Sequence, residues 1–227
     1  LFLPFVFILV VYTMNVFENN EIANEYDAYY QTGQGKKIDE IEKAAILKHL
    51  QNIPVKSTFL EVGCGTGHWT KAFANLGFSV TALDISDAML DIALAKNISH
   101  ATFIKGDAMN LPFHDNSYDV VVSVTMLEFT QNAKNAIDEM FRVLKKNGLL
   151  ILGCLNSESV LGKTKDNDPI FKHARFFSKK DLVELLKKFS NTFIEDCVML
   201  TDSFELVPDT IVNKDIHGVF IVVKATK

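Results

Sequence analysis

Apolar and polar positions alternate along this chain in two rhythms. Short apolar runs of four to seven residues recur, and between them lie segments whose apolar residues fall three and four apart. The first rhythm is that of buried strands and the second that of amphipathic helices. Residues Ile38, Ile41, Ala44, Ala45, Leu47 and Leu50 give a helix over Ile38–Leu50. Strands follow at Thr58–Val62, Ser79–Leu83, Thr102–Ile104, Tyr118–Val124 and Leu149–Gly153. Helices fall between them at His68–Leu76, Ser86–Lys96 and Ala133–Lys145. Gly77 and Gly148 stand where the first and last of these stop, and Ser86 stands as an N-cap. Tyr118–Val124 (YDVVVSV) is apolar on both faces, as a central parallel strand requires.

The later part is less regular. Asn156–Phe177 is a polar insertion without a clear period. Ser178–Phe189 reads as a helix capped by Ser178 and Asp181. Phe193–Leu200 and His217–Val223 read as two strands joined without a helix, so they are expected to pair antiparallel at one edge. Repeated β/α alternation on short loops implies an α/β, doubly wound, mainly parallel sheet with right-handed crossovers. Glu18–Gly35 reads as an irregular or short helical arm with Tyr26, Tyr29 and Tyr30. No internal repeat or linker divides residues 18–227, which are expected to form one domain.

The first seventeen residues carry no charge and are mostly apolar. They sit at the lower edge of a membrane span, contain Pro4, and lack the basic start of a signal peptide. The preferred expectation is that Met14 is the natural start and residues 1–13 lie upstream of it. A membrane anchor and a packed N-terminal element are the alternatives.

Composition narrows the function. The chain has 227 residues and a net charge of −5, from 23 basic and 28 acidic residues. An acidic balance argues against a broad nucleic-acid surface. Cys64, Cys154 and Cys197 are odd in number, far apart and form no CxxC pair, which argues against a disulfide framework or a zinc site. A reducing, cytoplasmic setting is expected, with no metal.

The chemistry concentrates after the first strand, in Glu61-Val-Gly63-Cys64-Gly65-Thr-Gly67. Glycines there permit a tight turn and let a ligand approach the backbone. Taken alone, a glycine loop is weak evidence, and a plain tight β–α turn is its alternative. Asp84 ends the second strand, where a carboxylate can accept both hydroxyls of a ribose. Asp107 follows the third strand. In an open sheet, the C-terminal ends of successive strands face one crevice. The GxGxG spacing, with His68 in place of a final glycine, departs from the dinucleotide fingerprint. The phosphate-cradling GxxxxGK[ST] is absent too, so a nucleoside ligand without a pyrophosphate fits better.

On these residues the chain resembles the class I S-adenosylmethionine-dependent methyltransferases, in the broad group that includes small-molecule and quinone-pathway enzymes. LEVGCGTG resembles the first motif of that family and TALDIS its second. FIKGDAMNLPFHDNSYDVVVSV resembles the third and fourth, and MFRVLKKNGLLILG the fifth strand with its loop. The likeness runs from about Leu47 to Phe189. It implies a three-layer αβα fold with a Rossmann-like seven-stranded sheet in the order 3-2-1-4-5-7-6, strand 7 antiparallel. It implies S-adenosylmethionine as cofactor and S-adenosylhomocysteine as product.

The resemblance also assigns roles. Glu61, Gly63, Cys64, Gly65 and Gly67 would surround the methionine part, with Cys64 packed in the loop. Asp84 would take the ribose hydroxyls and Ile85 the adenine face. Asp107 and Ala108 would meet the adenine edge. Val124, in the stretch from Ser123 to Leu127, would lie near the sulfonium, and Tyr29 would cover the cofactor. Apart from the resemblance, the insertion Asn156–Phe177 is the expected lid and place of acceptor recognition, with a plain surface loop as the alternative. Leu127, Glu128, His173 and Arg175 are the candidate acceptor-binding residues, His173 and Arg175 for an anionic group, and Glu128 and His173 are the candidate bases. A small-molecule methyl acceptor is the expected partner. A non-catalytic cofactor-binding protein and an NAD-type oxidoreductase are the alternatives.

Overall fold

The computed structural model describes residues 16–207 and 216–227. The expected upstream segment, residues 1–13, lies outside them. Strands β1 (Phe59–Val62), β2 (Val80–Asp84), β3 (Ala101–Lys105), β4 (Tyr118–Val124), β5 (Leu144–Leu155), β6 (Ser190–Cys197) and β7 (Phe220–Thr226) form one sheet in the order β3-β2-β1-β4-β5-β7-β6. The first five run parallel, and β7 is antiparallel to both β5 and β6.

The sheet is buried on both sides, which is why its inner strands read as continuous apolar runs. Leu60, Val62 and Val121 face a core shared with Ile137 and Met140 of helix α5 (Ala133–Val143) and Leu182 of helix α7 (Lys179–Leu185). Their neighbours Phe59, Val120 and Val122 face the other core. There Ile46 of α2 (Gly33–Leu47), Phe73 of α3 (His68–Asn75) and Leu90 of α4 (Asp87–Ala95) pack. This alternation makes the three-layer αβα stack.

Several boundaries differ from the expected ones, each for a local reason. Helix α2 begins at Gly33 rather than Ile38, because Thr32 caps it through its side chain to Gly35 N at 2.9 Å. Helix α5 ends at Val143, not Lys145. Leu144 is extended, fully buried and paired with Tyr118, so it opens β5. Lys145 then pairs with Asp119 at 2.9 Å instead of capping a helix. Strands β6 and β7 lie about three residues away from their expected positions, in opposite directions. Helix α7 covers only the first two turns of Ser178–Phe189, with the Ser178–Asp181 capping box present.

The arm folds as helix α1 (Asn20–Tyr26), capped by Asn19, between two short 3-10 turns at Val16–Glu18 and Tyr29–Gln31. The insertion contains helix α6 (Val160–Thr164) and two further 3-10 turns. Among the described residues no helix is long and apolar enough to cross a membrane.

Candidate active site

The loop from β1 to α3 turns on three glycines with positive φ: +80° at Gly63, +51° at Gly65 and +80° at Gly67. L side chains rarely adopt such angles. At Gly63 space is also short, since a Cβ would meet Met126 Cγ at 2.1 Å. The amides of Gly63 and Cys64 both donate to the Leu83 carbonyl, at 2.7 and 3.0 Å, tying the loop to the end of β2.

Asp84 is the hinge pin of this arrangement. Its Oδ2 accepts from Gly65 N at 2.8 Å and its Oδ1 from Ser86 N at 2.9 Å. Burial raises its carboxyl above the usual range, and these amide donors oppose the rise. Beneath the loop, Thr70 Oγ1 donates to Glu61 Oε2 at 2.5 Å, and burial pushes the Glu61 carboxyl up to about 8. Asp107 Oδ1 accepts from Met109 N at 2.8 Å, which shapes the turn after β3.

These strand ends open onto a cavity of about 630 Å³. Gly63, Cys64, Gly65, Asp84, Ile85, Asp107, Ala108 and Val124 line it, and so do Glu128, His173 and Arg175. Ile85 is 42% exposed, an apolar surface at a cavity wall able to take a flat ring. Four expected site residues do not line it. Glu61 sits behind the glycine loop, on Thr70. Gly67 faces Ile98, Phe103 and Ala93. Leu127 is buried in the core beneath α5. Tyr29 is 47% exposed, because the 3-10 turn held by Thr32 Oγ1 on its carbonyl turns it outward.

Two aromatic residues of the arm that pattern reasoning passed over, Phe17 and Tyr26, reach the cavity instead. Their rings meet edge to face at 5.9 Å. The signal for Tyr26 was weak, being one of three tyrosines in a polar stretch. His68, Trp69, Thr125 and Met126 also line the wall. Thr125 holds a φ of +47°, uncommon for a β-branched residue and typical of a functional loop. Among the described residues no group of three or more His, Cys, Asp or Glu is placed to hold a metal ion.

Comparison with known proteins agrees with this geometry. Residues 60–152 match the methyltransferase domain family. The chain is 32% identical over 197 residues to a demethylmenaquinone methyltransferase of Lactococcus lactis, covering 84% of this chain and 74% of that protein. The chain belongs to the class I S-adenosylmethionine-dependent methyltransferases. It is also 37% identical over 179 residues to an uncharacterized protein of Methanocaldococcus jannaschii, covering 77% of this chain and 80% of the relative. Against a demethylmenaquinone methyltransferase of Staphylococcus epidermidis the identity is 40% over 111 residues, and the match spans only 45% of that protein.

Solved structures extend the likeness to the whole fold. A S-adenosylmethionine-dependent methyltransferase of Thermotoga maritima superposes with a TM-score of 0.71 at 26% identity, covering 92% of this chain and 97% of the other. A Haemonchus contortus N-methyltransferase, in complex with phosphomonomethylethanolamine and S-adenosylhomocysteine, superposes at 0.70 with 16% identity, over 92% of this chain and 57% of the other. The cofactor of this methyltransferase is S-adenosylmethionine. Its residues fit that group: a glycine turn with room for a ligand against the backbone, a buried carboxylate at the end of β2, and an exposed apolar side chain beside it.

Proposed function

We propose that this methyltransferase moves the methyl group to a small molecule held in the half of the cavity opposite Asp84. The supporting observation is the joining of two walls in one space. One wall is the strand-end cradle. The other is built by the loop after β4, the arm and the insertion. A volume of about 630 Å³ accommodates a nucleoside with a compact acceptor beside it.

Bound in the cradle, the cofactor supplies an electrophilic methyl carbon on a sulfonium. The chain's own residues supply position and dryness. In this reading Asp84 accepts the ribose hydroxyls, Ile85 packs on the adenine, and Asp107 with Ala108 meets the adenine edge. Glu61 braces the glycine loop through Thr70. Phe17, Tyr26 and Phe129, all lining the cavity, keep water from the acceptor side, which favours an in-line displacement between aligned atoms. The three free cysteines suit a reducing, cytoplasmic setting.

The test has two stages. Calorimetric titration with S-adenosylhomocysteine gives saturable binding that Asp84→Ala weakens at least tenfold; equal affinity in the variant removes the ribose role. Incubation of a cell extract with protein and methyl-labelled cofactor then places the label in the fraction below about 1 kDa, the size class such a pocket encloses. Label found only in protein or nucleic acid rejects the small-molecule reading.

A further inference from the structure

With the cofactor assigned to the Asp84 half, two side chains of the other half have chemistry that the protein itself leaves unanswered. Glu128 is 1% exposed. Its Oε1 accepts from Leu155 N at 2.5 Å, while Oε2 is equally buried and has no hydrogen-bond partner. A buried carboxylate oxygen without a donor is unfavourable, and such an orphan in a cavity wall marks where a ligand's donor belongs. Burial raises the Glu128 carboxyl to about 7, so it can both take and release a proton near neutrality.

The second side chain is Arg175. Its backbone N–H donates to the Glu128 carbonyl at 2.7 Å, so the two side chains leave the backbone from adjoining points. The guanidinium lies over the Phe177 ring, 5.5 Å from the centroid, and makes no ion pair or side-chain hydrogen bond among the described residues. Asp181 feels its charge but is committed to the cap at Ser178. A planar fork of donors, exposed and unpaired where it lines the cavity, matches an oxyanion. Phe17 and Phe129, whose rings meet edge to face at 4.8 Å, line the same cavity.

We propose that the acceptor is a small oxyanion with an apolar or aromatic body. Arg175 holds its anionic group, and its N–H or O–H lies against Glu128 Oε2. This rests on the methyl-transfer reading above. In the reaction, the acceptor's nitrogen or oxygen forms a bond to the methyl carbon. The carbon–sulfur bond breaks and its electron pair stays on sulfur. The acceptor's proton passes to Glu128 Oε2 and then to solvent. Glu128 is thereby a catalytic residue and Arg175 sets specificity.

The experiment uses protein first saturated with S-adenosylhomocysteine, so that a failure of cofactor binding shows separately. Calorimetry then compares 4-hydroxybenzoate, 4-aminobenzoate and 4-hydroxyphenyl phosphate with phenol and aniline. At least one anionic probe binds tenfold or more tightly than its neutral counterpart, and the carboxylate and phosphate arms tell the two anion types apart. Arg175→Ala erases the preference and Arg175→Lys retains part of it. Glu128→Gln keeps the Leu155 contact but weakens the preferred probe about ten- to hundredfold, the worth of a charge-assisted hydrogen bond. It also slows methyl transfer to any probe that is methylated by about 10²–10⁴. Both variants keep their affinity for S-adenosylhomocysteine. No anionic preference, Arg175→Ala binding like the wild type, or Glu128→Gln binding like the wild type each overturns the proposal.

Discussion

The phenol ring of Tyr30 lies flat on the imidazole of His68, with centroids 3.7 Å apart and planes 7° from parallel. His68 Nε2 in turn sits 2.7 Å from Asp39 Oδ1 on α2. The stack therefore joins the arm, α2 and the first turn of α3. Two further ties bind the arm to the cofactor loops: Thr66 Oγ1 donates to Asp27 at 2.7 Å, and Ser86 Oγ donates to the Phe17 carbonyl at 2.7 Å. Tyr30→Ala should cost about 1–2 kcal/mol, the worth of an aromatic contact plus its buried area. Hydrogen exchange across Asn20–Gln31 should speed up, and S-adenosylhomocysteine should bind more weakly. Exchange unchanged from the wild type would show that the stack does not hold the arm.

Two glycines separate conformational need from mere presence. Gly63→Ala forces a side chain into Met126 at a φ of +80°, so it should lower the melting temperature and abolish cofactor binding. Gly33 in the first turn of α2 has open space around it. Gly33→Ala should be neutral or stabilising by up to about 1 kcal/mol. Thermal melts of the two variants side by side check both signs.

Asp84 orders the loop as well as facing the cavity, and the two roles can be parted. Asp84→Asn keeps one oxygen acceptor for Gly65 N or Ser86 N but loses the charge. Cofactor affinity should fall about 10–100-fold, while the chemical-denaturation midpoint moves less than in Asp84→Ala. A denaturation midpoint equally lowered in both variants would make the residue chiefly structural.

The buried carboxyls give stability a definite pH slope. Burial lifts Glu61 to about 8 in the folded chain, against 4.5 for the ordinary side chain. Between those values the folded form holds a proton that the unfolded form has released. The contribution of Glu61 is therefore complete below pH 4.5 and is lost as pH rises toward 8, at about 1.4 kcal/mol per pH step. Glu42 and Glu128 carry raised carboxyls of the same sign. Glu61→Gln retains an acceptor for Thr70 and removes this titration. Urea unfolding at pH 5.5 and pH 8 should show a smaller drop in the variant than in the wild type. An identical drop in both would mean that Glu61 is ionised in the fold.

The central strands were legible because burial on both faces leaves an unbroken apolar run, as in Tyr118–Val124. The loop chemistry was legible because positive φ and close approach select glycine at positions 63, 65 and 67. Other features depended on tertiary contacts that no local pattern records. Lys145 and Lys146 look like a helix end, yet Leu144 is drawn into β5 by Tyr118. Gly33 and Gly35 look like helix breakers, yet Thr32 starts α2 there. Of three nearby tyrosines, Tyr26 ends α1 and lines the cavity, while Tyr29 and Tyr30 fall in the following 3-10 turn and do not, a split that the local sequence pattern does not mark. Leu127 and Glu128 are adjacent, but a 3-10 turn at Leu127–Phe129 sends one to the core and the other to the cavity wall.

The two ends of the described fold lie at opposite poles of the sheet. Lys227 returns its amide to the Gly148 carbonyl at 3.1 Å, at the entry side of β5, while Phe17 is fastened at the exit side of the strands by Ser86. An affinity handle or surface linker joined after Lys227 would hang from the pole remote from the chemistry. Val16 and Phe17 themselves line the cavity, so the arm is the side to leave unaltered. Immobilised assays and biosensor chips should therefore be built through the C-terminal side.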